Sequence, residues 1–195
     1  DSNPDPHEFN SIQPNLQMMV ETAIEYFVQA GYQKIGFIGG RSWDSMEGRH
    51  VLRDTRTRCF ESRARELGLF NQNYVFIGDN FSVDSGYQVG REIVGKIRDD
   101  LPQAFLVASD PLAVGVLQAF NENKLTVPED VSMISINDID IAKYVSPPLT
   151  TFRIDTEELG KVAVETLRNL IVAPKKSKRM ILLDADLVFR KSFSI

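Results

Sequence analysis

The chain has 195 residues, 43% hydrophobic and 25% charged, with a formal net charge of −5. These values are ordinary for a globular domain and exclude a disordered, collagenous or coiled-coil chain. The acidic balance supplies no global attraction to nucleic acid or anionic lipid, so any DNA contact must come from elsewhere.

From Leu16 the apolar residues Leu16, Met19, Val20, Ala23, Phe27 and Ala30 recur at helical spacing, and Gly31 offers a left-handed stop. Lys34 to Gly39 is short and apolar, and the Gly39-Gly40 pair closes it, which predicts a strand buried on both faces. A helix is expected over Val51 to Leu67, with Leu52, Phe60 and Leu67 on one side and Arg56 on that same side. The pattern then alternates through a strand at Tyr74–Ile77, a helix at Val83–Asp99, a strand at Ala104–Ser109, a helix at Pro111–Asn121 and a strand at Ser132–Ile136. Buried strands alternating with amphipathic helices imply an α/β fold with a doubly wound parallel sheet. Beyond Ile136 the pattern loosens as far as the Pro147-Pro148 turn, and Thr150–Ile154 reads as a further strand. Asp155 can cap a last helix through Leu170, and two short apolar runs, Met180–Leu183 and Leu187–Phe189, end the chain.

In open α/β sheets ligands bind outside the carboxyl ends of the strands. Those positions here are Gly39-Gly40-Arg41, Gly78-Asp79-Asn80-Phe81, Ser109-Asp110 and Asn137-Asp138. A polar set with one aromatic suits a hydroxylated small molecule, whose OH groups need paired partners and whose C–H faces pack on a ring. Simpler readings stand beside this one. Ser109-Asp110 and Asn137-Asp138 can be helix N-caps, Phe81 can close a loop, and Arg56 can be a surface arginine lying along its helix. The arginines around Arg56 read as a solvated, salt-bridged face, because Asp54–Arg58 and Glu61–Arg65 are four apart.

Chemistry-bearing motifs are few. The chain has no G-x-S-x-G, P-loop, H-E-x-x-H or G-x-G-x-x-G pattern, and His7 and His50 fall in expected loops. One cysteine, Cys59, and two histidines are too few for an ordinary structural zinc site or an internal disulfide, which fits a reduced cytosolic protein. No apolar run is long enough for a membrane span, and the Pro- and Asp-rich start lacks the pattern of a signal peptide. Asp110 and Asp138 could form a phospho-acceptor or metal pair in an α/β enzyme, but no lysine stands at an equivalent strand end to complete it. The residues therefore predict no enzyme, no cofactor and no metal.

Between Pro102 and Gly160 the chain carries, in order, a strand, a Ser109-Asp110 helix start, PEDVS, a strand ending in Asn137-Asp138, and PPLTT. This series resembles the effector-binding core of the lactose-repressor family of transcription regulators. GYQKIGFIGG, the Arg56-x-x-Cys59-Phe60 step, FSVDSGYQ and the closing LVFRKS extend the resemblance over essentially the whole chain. It implies a periplasmic-binding-protein-like fold of two lobes with effector between them. One lobe is complete here, residues 15–153 with 186–195; residues 1–14 and 154–185 would be the remnant of the other, and the DNA-reading headpiece would lie outside this chain.

The resemblance also implies roles. The effector-clamping arginine falls on Arg56, the packing aromatic on Phe81, and a polar strand-end residue on Ser109, which is often Asn in relatives. The usual effector-binding carboxylate falls on Asn137, with Asp138 as a source of the missing charge, and Asp1 aligns with a cleft-facing acid of the other lobe. Cys59 stands where the family usually has Gly. The implied protein is a cytoplasmic, homodimeric repressor that binds a sugar, first of all a galactoside, and reaches operator DNA through its headpiece. The rival reading is the solute-binding protein of a sugar transport system, which shares the two-lobe fold.

Overall fold

A computed structural model describes residues 7–44, 49–51, 54–173 and 177–193. Helix α1 (Leu16–Gln29) begins where the Asn15 side chain accepts a hydrogen bond from Met18 N, and Gly31, at φ +79°, turns the chain out of it. Six strands form the main sheet: β2 (Ile35–Gly40), β5 (Val75–Gly78), β6 (Ala104–Val107), β7 (Ser132–Asn137), β8 (Thr150–Arg153) and β10 (Asp186–Val188). Their order is β10-β8-β7-β6-β2-β5, parallel throughout except for β10, which runs antiparallel to β8. The expected α/β fold with a doubly wound parallel sheet is therefore present.

The chain leaves β2 for β5 on one side and returns past it to β6 on the other. The carboxyl ends of β2 and β6 thus flank a topological switch point, where such sheets open a crevice. Helices α3 (Val83–Ile97) and α4 (Asp110–Glu122) pack together, as do α1 and α2 (Thr55–Glu66). Phe27, Phe37, Phe60, Phe105, Phe120, Phe152 and Phe193 are fully buried in the resulting core. Every residue of β2 and β6 is buried, as their unbroken apolar sequences require of strands covered on both faces.

Phe193 anchors the end of the described chain against Phe27 and Tyr32. Beside it Ser192 Oγ accepts from Thr150 N at 2.8 Å and donates to the Met133 carbonyl at 2.7 Å, stitching the tail across β8 and β7.

One expected helix starts later than its pattern suggests. Val51 belongs to a strand, β4 (Arg49–Val51), paired antiparallel with β3 (Ser42–Asp44), and α2 begins only at Thr55. Asp54 sets that boundary, because its carboxylate accepts from Thr57 N and caps the helix. Leu52 lies outside the described residues. Leu67 ends α2 as an exposed cap residue and does not join the core.

A second, smaller layer holds β1 (Ser11–Pro14) and β9 (Met180–Leu183), a parallel pair, with α5 (Thr156–Val172) against β1. Asp155 caps α5 as its sequence predicts, yet no residue of this helix is buried. The chain passes between this layer and the main sheet at Pro14–Asn15, Ile154–Asp155 and Asp184–Ala185. The three passages meet: Pro14, Ile154, Asp155, Leu183, Asp184 and Ala185 line one open cleft, and Asn15 Nδ2 donates to Asp184 Oδ1 at 2.8 Å.

Candidate functional site

The carboxyl end of β2 is two glycines followed by Arg41. At Gly40 a Cβ would collide with the Asn80 carbonyl, so only glycine lets the loop after β5 lie across the end of β2 and carry Phe81 inward. Half-buried Phe81 meets Arg56 from the first turn of α2, whose Cζ lies 4.5 Å from the ring centroid.

Arg56 is a buried arginine. Its Nε donates to Asp54 Oδ2 at 2.8 Å, one terminal nitrogen donates to the same oxygen, and the other donates to the Ala108 carbonyl at 2.9 Å. Asp54 is thus both helix cap and counter-ion, and its partner is Arg56 two residues on, correcting the expected pairing with Arg58. Arg58 instead reaches the Thr55 hydroxyl, and Arg65 lies over the Phe70 ring at 3.6 Å. Arg63 of that helix makes the expected kind of surface pair, with Glu66.

The bond to Ala108 brings Arg56 beside Ser109. Ser109 occupies the cap position of α4, but its side chain makes no capping bond, and its Oγ is buried without a hydrogen-bond partner. Asn137 lies at the same level on the neighbouring strand, since Leu106 pairs with Ile134 three residues earlier. Its Oδ1 is likewise buried without a partner, and its backbone is held at φ +121°. Two orphaned polar atoms at adjacent strand ends, one on a residue in a sparsely populated conformation, mark a place where local stability is given up. An orphaned buried polar atom costs about 1–3 kcal/mol. The capping alternative, which needs these side chains engaged with a helix N-terminus, does not describe Ser109.

The two aspartates beside them are closed. Asp110 is fully buried; its Oδ1 accepts from the Ser135 and Thr151 hydroxyls and its Oδ2 from Ile139 N at 2.8 Å. Burial pushes its carboxyl above the ordinary value, against the pull of those hydrogen bonds. Asp138, at φ +54°, is clamped by two arginines: Arg190 donates to Oδ1 at 2.6 Å and Arg153 to Oδ2 at 2.7 Å. Burial alone would raise its carboxyl, but the two guanidinium groups hold it below the ordinary value. Neither carboxylate is open to a phosphoryl group or a metal ion. Among the described residues no cluster of three or more His, Cys, Asp or Glu could hold a metal.

The fold thus gathers Arg56, Phe81 and Ser109, sets Asn137 alongside, and turns Asp138 toward its arginines. Asp1 lies outside the described residues. Sequence reasoning missed Asp54 as the partner of Arg56 and Arg190 as the partner of Asp138. The cap-like Asp54-x-x-Thr57 spacing could have signalled the first; nothing local signals the second, 52 residues away.

A doubly wound lobe with an arginine, an aromatic and unpartnered polar groups at and beside its switch point has the architecture of a periplasmic-binding-protein-like domain. The chain belongs to the periplasmic-binding-protein-like domain family, whose pattern matches residues 24–193, and the relatives it matches are HTH-type transcriptional regulators. It is 40% identical over 194 residues to the HTH-type transcriptional regulator GanR of Bacillus subtilis, covering 100% of this chain and 58% of that protein. It is 42% identical to the HTH-type transcriptional regulator LacR of Lactobacillus helveticus, covering 99% and 57%. The chain therefore spans little more than half the length of these relatives. Among solved structures, a LacI family regulator from Arthrobacter in complex with lactose superposes with a TM-score of 0.82 at 25% identity, covering 98% of this chain and 69% of that one.

Proposed function

We propose that this chain is the effector-binding module of a sugar-responsive transcriptional repressor, with a galactoside as effector. The observation that carries the reading is the Arg56–Phe81 pair beside the orphaned Ser109 Oγ and Asn137 Oδ1. Phe81 offers a ring for the C–H face of a sugar, Arg56 offers its remaining N–H groups, and Ser109 and Asn137 gain the partners they lack. Asp138 acts through the backbone it fixes next to Asn137, and Asp1 is the proposed contribution of the opposite lobe. The names of the relatives and the lactose complex of the Arthrobacter protein support a sugar, and a galactoside in particular.

In this reading residues 15–153 and 186–195 form one lobe, and residues 1–14 and 154–185 belong to the other. The three chain passages meeting at one cleft and the bare apolar side of α5 support that division. Effector bridging the lobes would favour one lobe orientation and so change the spacing of two headpieces on operator DNA, a population shift. The working protein is a cytoplasmic homodimer, and exposed Ile139, Ile141 and Tyr144 on the turn after β7 give such a dimer apolar surface. The protein is not an enzyme, a reading supported by the closed Asp110 and Asp138 and by the regulator names of its relatives.

Calorimetric titration of the full-length protein with lactose, galactose and related glycosides tests this. Binding of at least one galactoside is expected. A purine that binds where no glycoside does overturns the reading.

A further inference from the structure

The charge of Arg56 is spent before any effector arrives. The guanidinium and the Asp54 carboxylate are a buried pair, with side chains 8% and 9% exposed. The described partners take three of the five N–H groups of Arg56, and both oxygens of Asp54 are occupied by Arg56 and Thr57. The other described arginines at that end also have acidic neighbours: Arg41 lies 3.4 Å from exposed Asp79, and Arg153 and Arg190 share the Asp138 carboxylate.

Among the described residues, the buried side-chain atoms left without a partner there are neutral: a hydroxyl at Ser109 and an amide oxygen at Asn137. A phosphate or carboxylate entering beside Arg56 would lose its hydration, find the guanidinium already paired and face the Asp54 carboxylate behind it. An uncharged polyol loses far less on entering and can use N–H, O–H and amide partners alike.

We infer that the site selects an uncharged polyhydroxy effector over its anionic derivatives, and that Asp54 sets this selectivity by holding the Arg56 charge in an internal ion pair. This rests on the sugar-binding reading above and narrows it to unphosphorylated sugars. Asp54→Asn is the informative variant, because asparagine caps a helix about as well as aspartate while carrying no charge.

The test is calorimetric titration of the full-length protein, wild type and Asp54→Asn, with galactose, lactose and glucose and with the 6-phosphate of each. Helix content by circular dichroism checks the variant's fold, and the wild-type comparison stands on its own whatever the variant does. In the wild type the neutral member of whichever pair binds is expected to bind more than tenfold tighter than its phosphate. In Asp54→Asn that ratio is expected to shrink at least threefold, with the phosphate's gain weakening as salt is added. A phosphate that binds the wild type as tightly as its neutral parent overturns the inference and leaves the sugar reading standing; so does an unchanged ratio in a folded variant. Failure of every compound to bind overturns the sugar reading and this inference with it.

Discussion

The guanidinium of Arg56 stacks on the Phe81 ring, 4.5 Å from Cζ to centroid, and is locked from behind by Asp54 and the Ala108 carbonyl. Helix α2, the loop after β5 and the end of β6 thus converge on one planar group. The arrangement is preorganised, so an effector would not need to order a long flexible side chain as it binds.

Replacing Arg56 by Ala should therefore act twice. Effector affinity is expected to fall by roughly 2–5 kcal/mol, as for loss of a buried charge-assisted contact, and isothermal titration reads this directly. Stability should also drop by about 3–5 kcal/mol in urea titrations, because Asp54 is left as a buried carboxylate without its partner. Arg56→Ala with Asp54→Asn should recover part of the stability and none of the affinity.

Asp138 has a pH signature with a definite sign. Its carboxyl is held below the ordinary value in the folded chain, so its contribution is fully present above the unfolded value and is lost as pH falls through the folded one. Asp138→Asn should cost on the order of 3 kcal/mol near neutral pH, since Arg190 loses a buried partner. The gap between wild type and variant should close on acidification, as measured by urea unfolding at a series of pH values. Asp110, with its carboxyl raised by burial, works in the opposite sense: its contribution weakens as pH rises from the unfolded value through the folded one.

Ser192 bridges two buried backbone groups, Thr150 N–H and the Met133 carbonyl. Ser192→Ala leaves both without that partner and is expected to destabilise the chain by about 2–6 kcal/mol, from about 1–3 kcal/mol per unsatisfied group. Hydrogen exchange at the Thr150 amide should accelerate in the variant, whereas a distant core amide such as that of Phe37 should change only as far as global stability does.

Leu167 lies on the bare side of α5 and is 60% exposed. Leu167→Lys should change the stability of this 195-residue chain by no more than about 0.5 kcal/mol, as at an ordinary surface position. In the full-length protein the same change should cost several times more if the second lobe covers that face. Equal, small effects in both would count against the proposed lobe division.

Much of this molecule is legible locally. The all-apolar β2 and β6, the helical spacing of Leu16 to Ala30, and the cap at Asp155 each follow from a few neighbouring residues, because strand and helix periods and capping bonds are short-range properties. The strand-end polar set was also readable, since the parallel alternation by itself says which loops share an edge. The boundary of α2 escapes apolar periodicity because Val51 pairs with Ser42 in a strand and the Asp54 cap starts the helix only at Thr55.

What each polar side chain does was settled only in three dimensions. Asp54 could have served Arg58 four residues on; burial made Arg56 its partner, because a charge out of water must take the best-placed opposite charge. Asp138 stood next to Asn137 in sequence with nothing to separate their roles, until Arg153 and Arg190 arrived from β8 and the chain beyond β10 and left Asn137 alone with a free acceptor. Sequence by itself determined the scaffold and the edge on which the candidate site lies. Tertiary structure decided which polar groups on that edge are consumed by the protein and which are left without a partner, since that depends on residues far away along the chain.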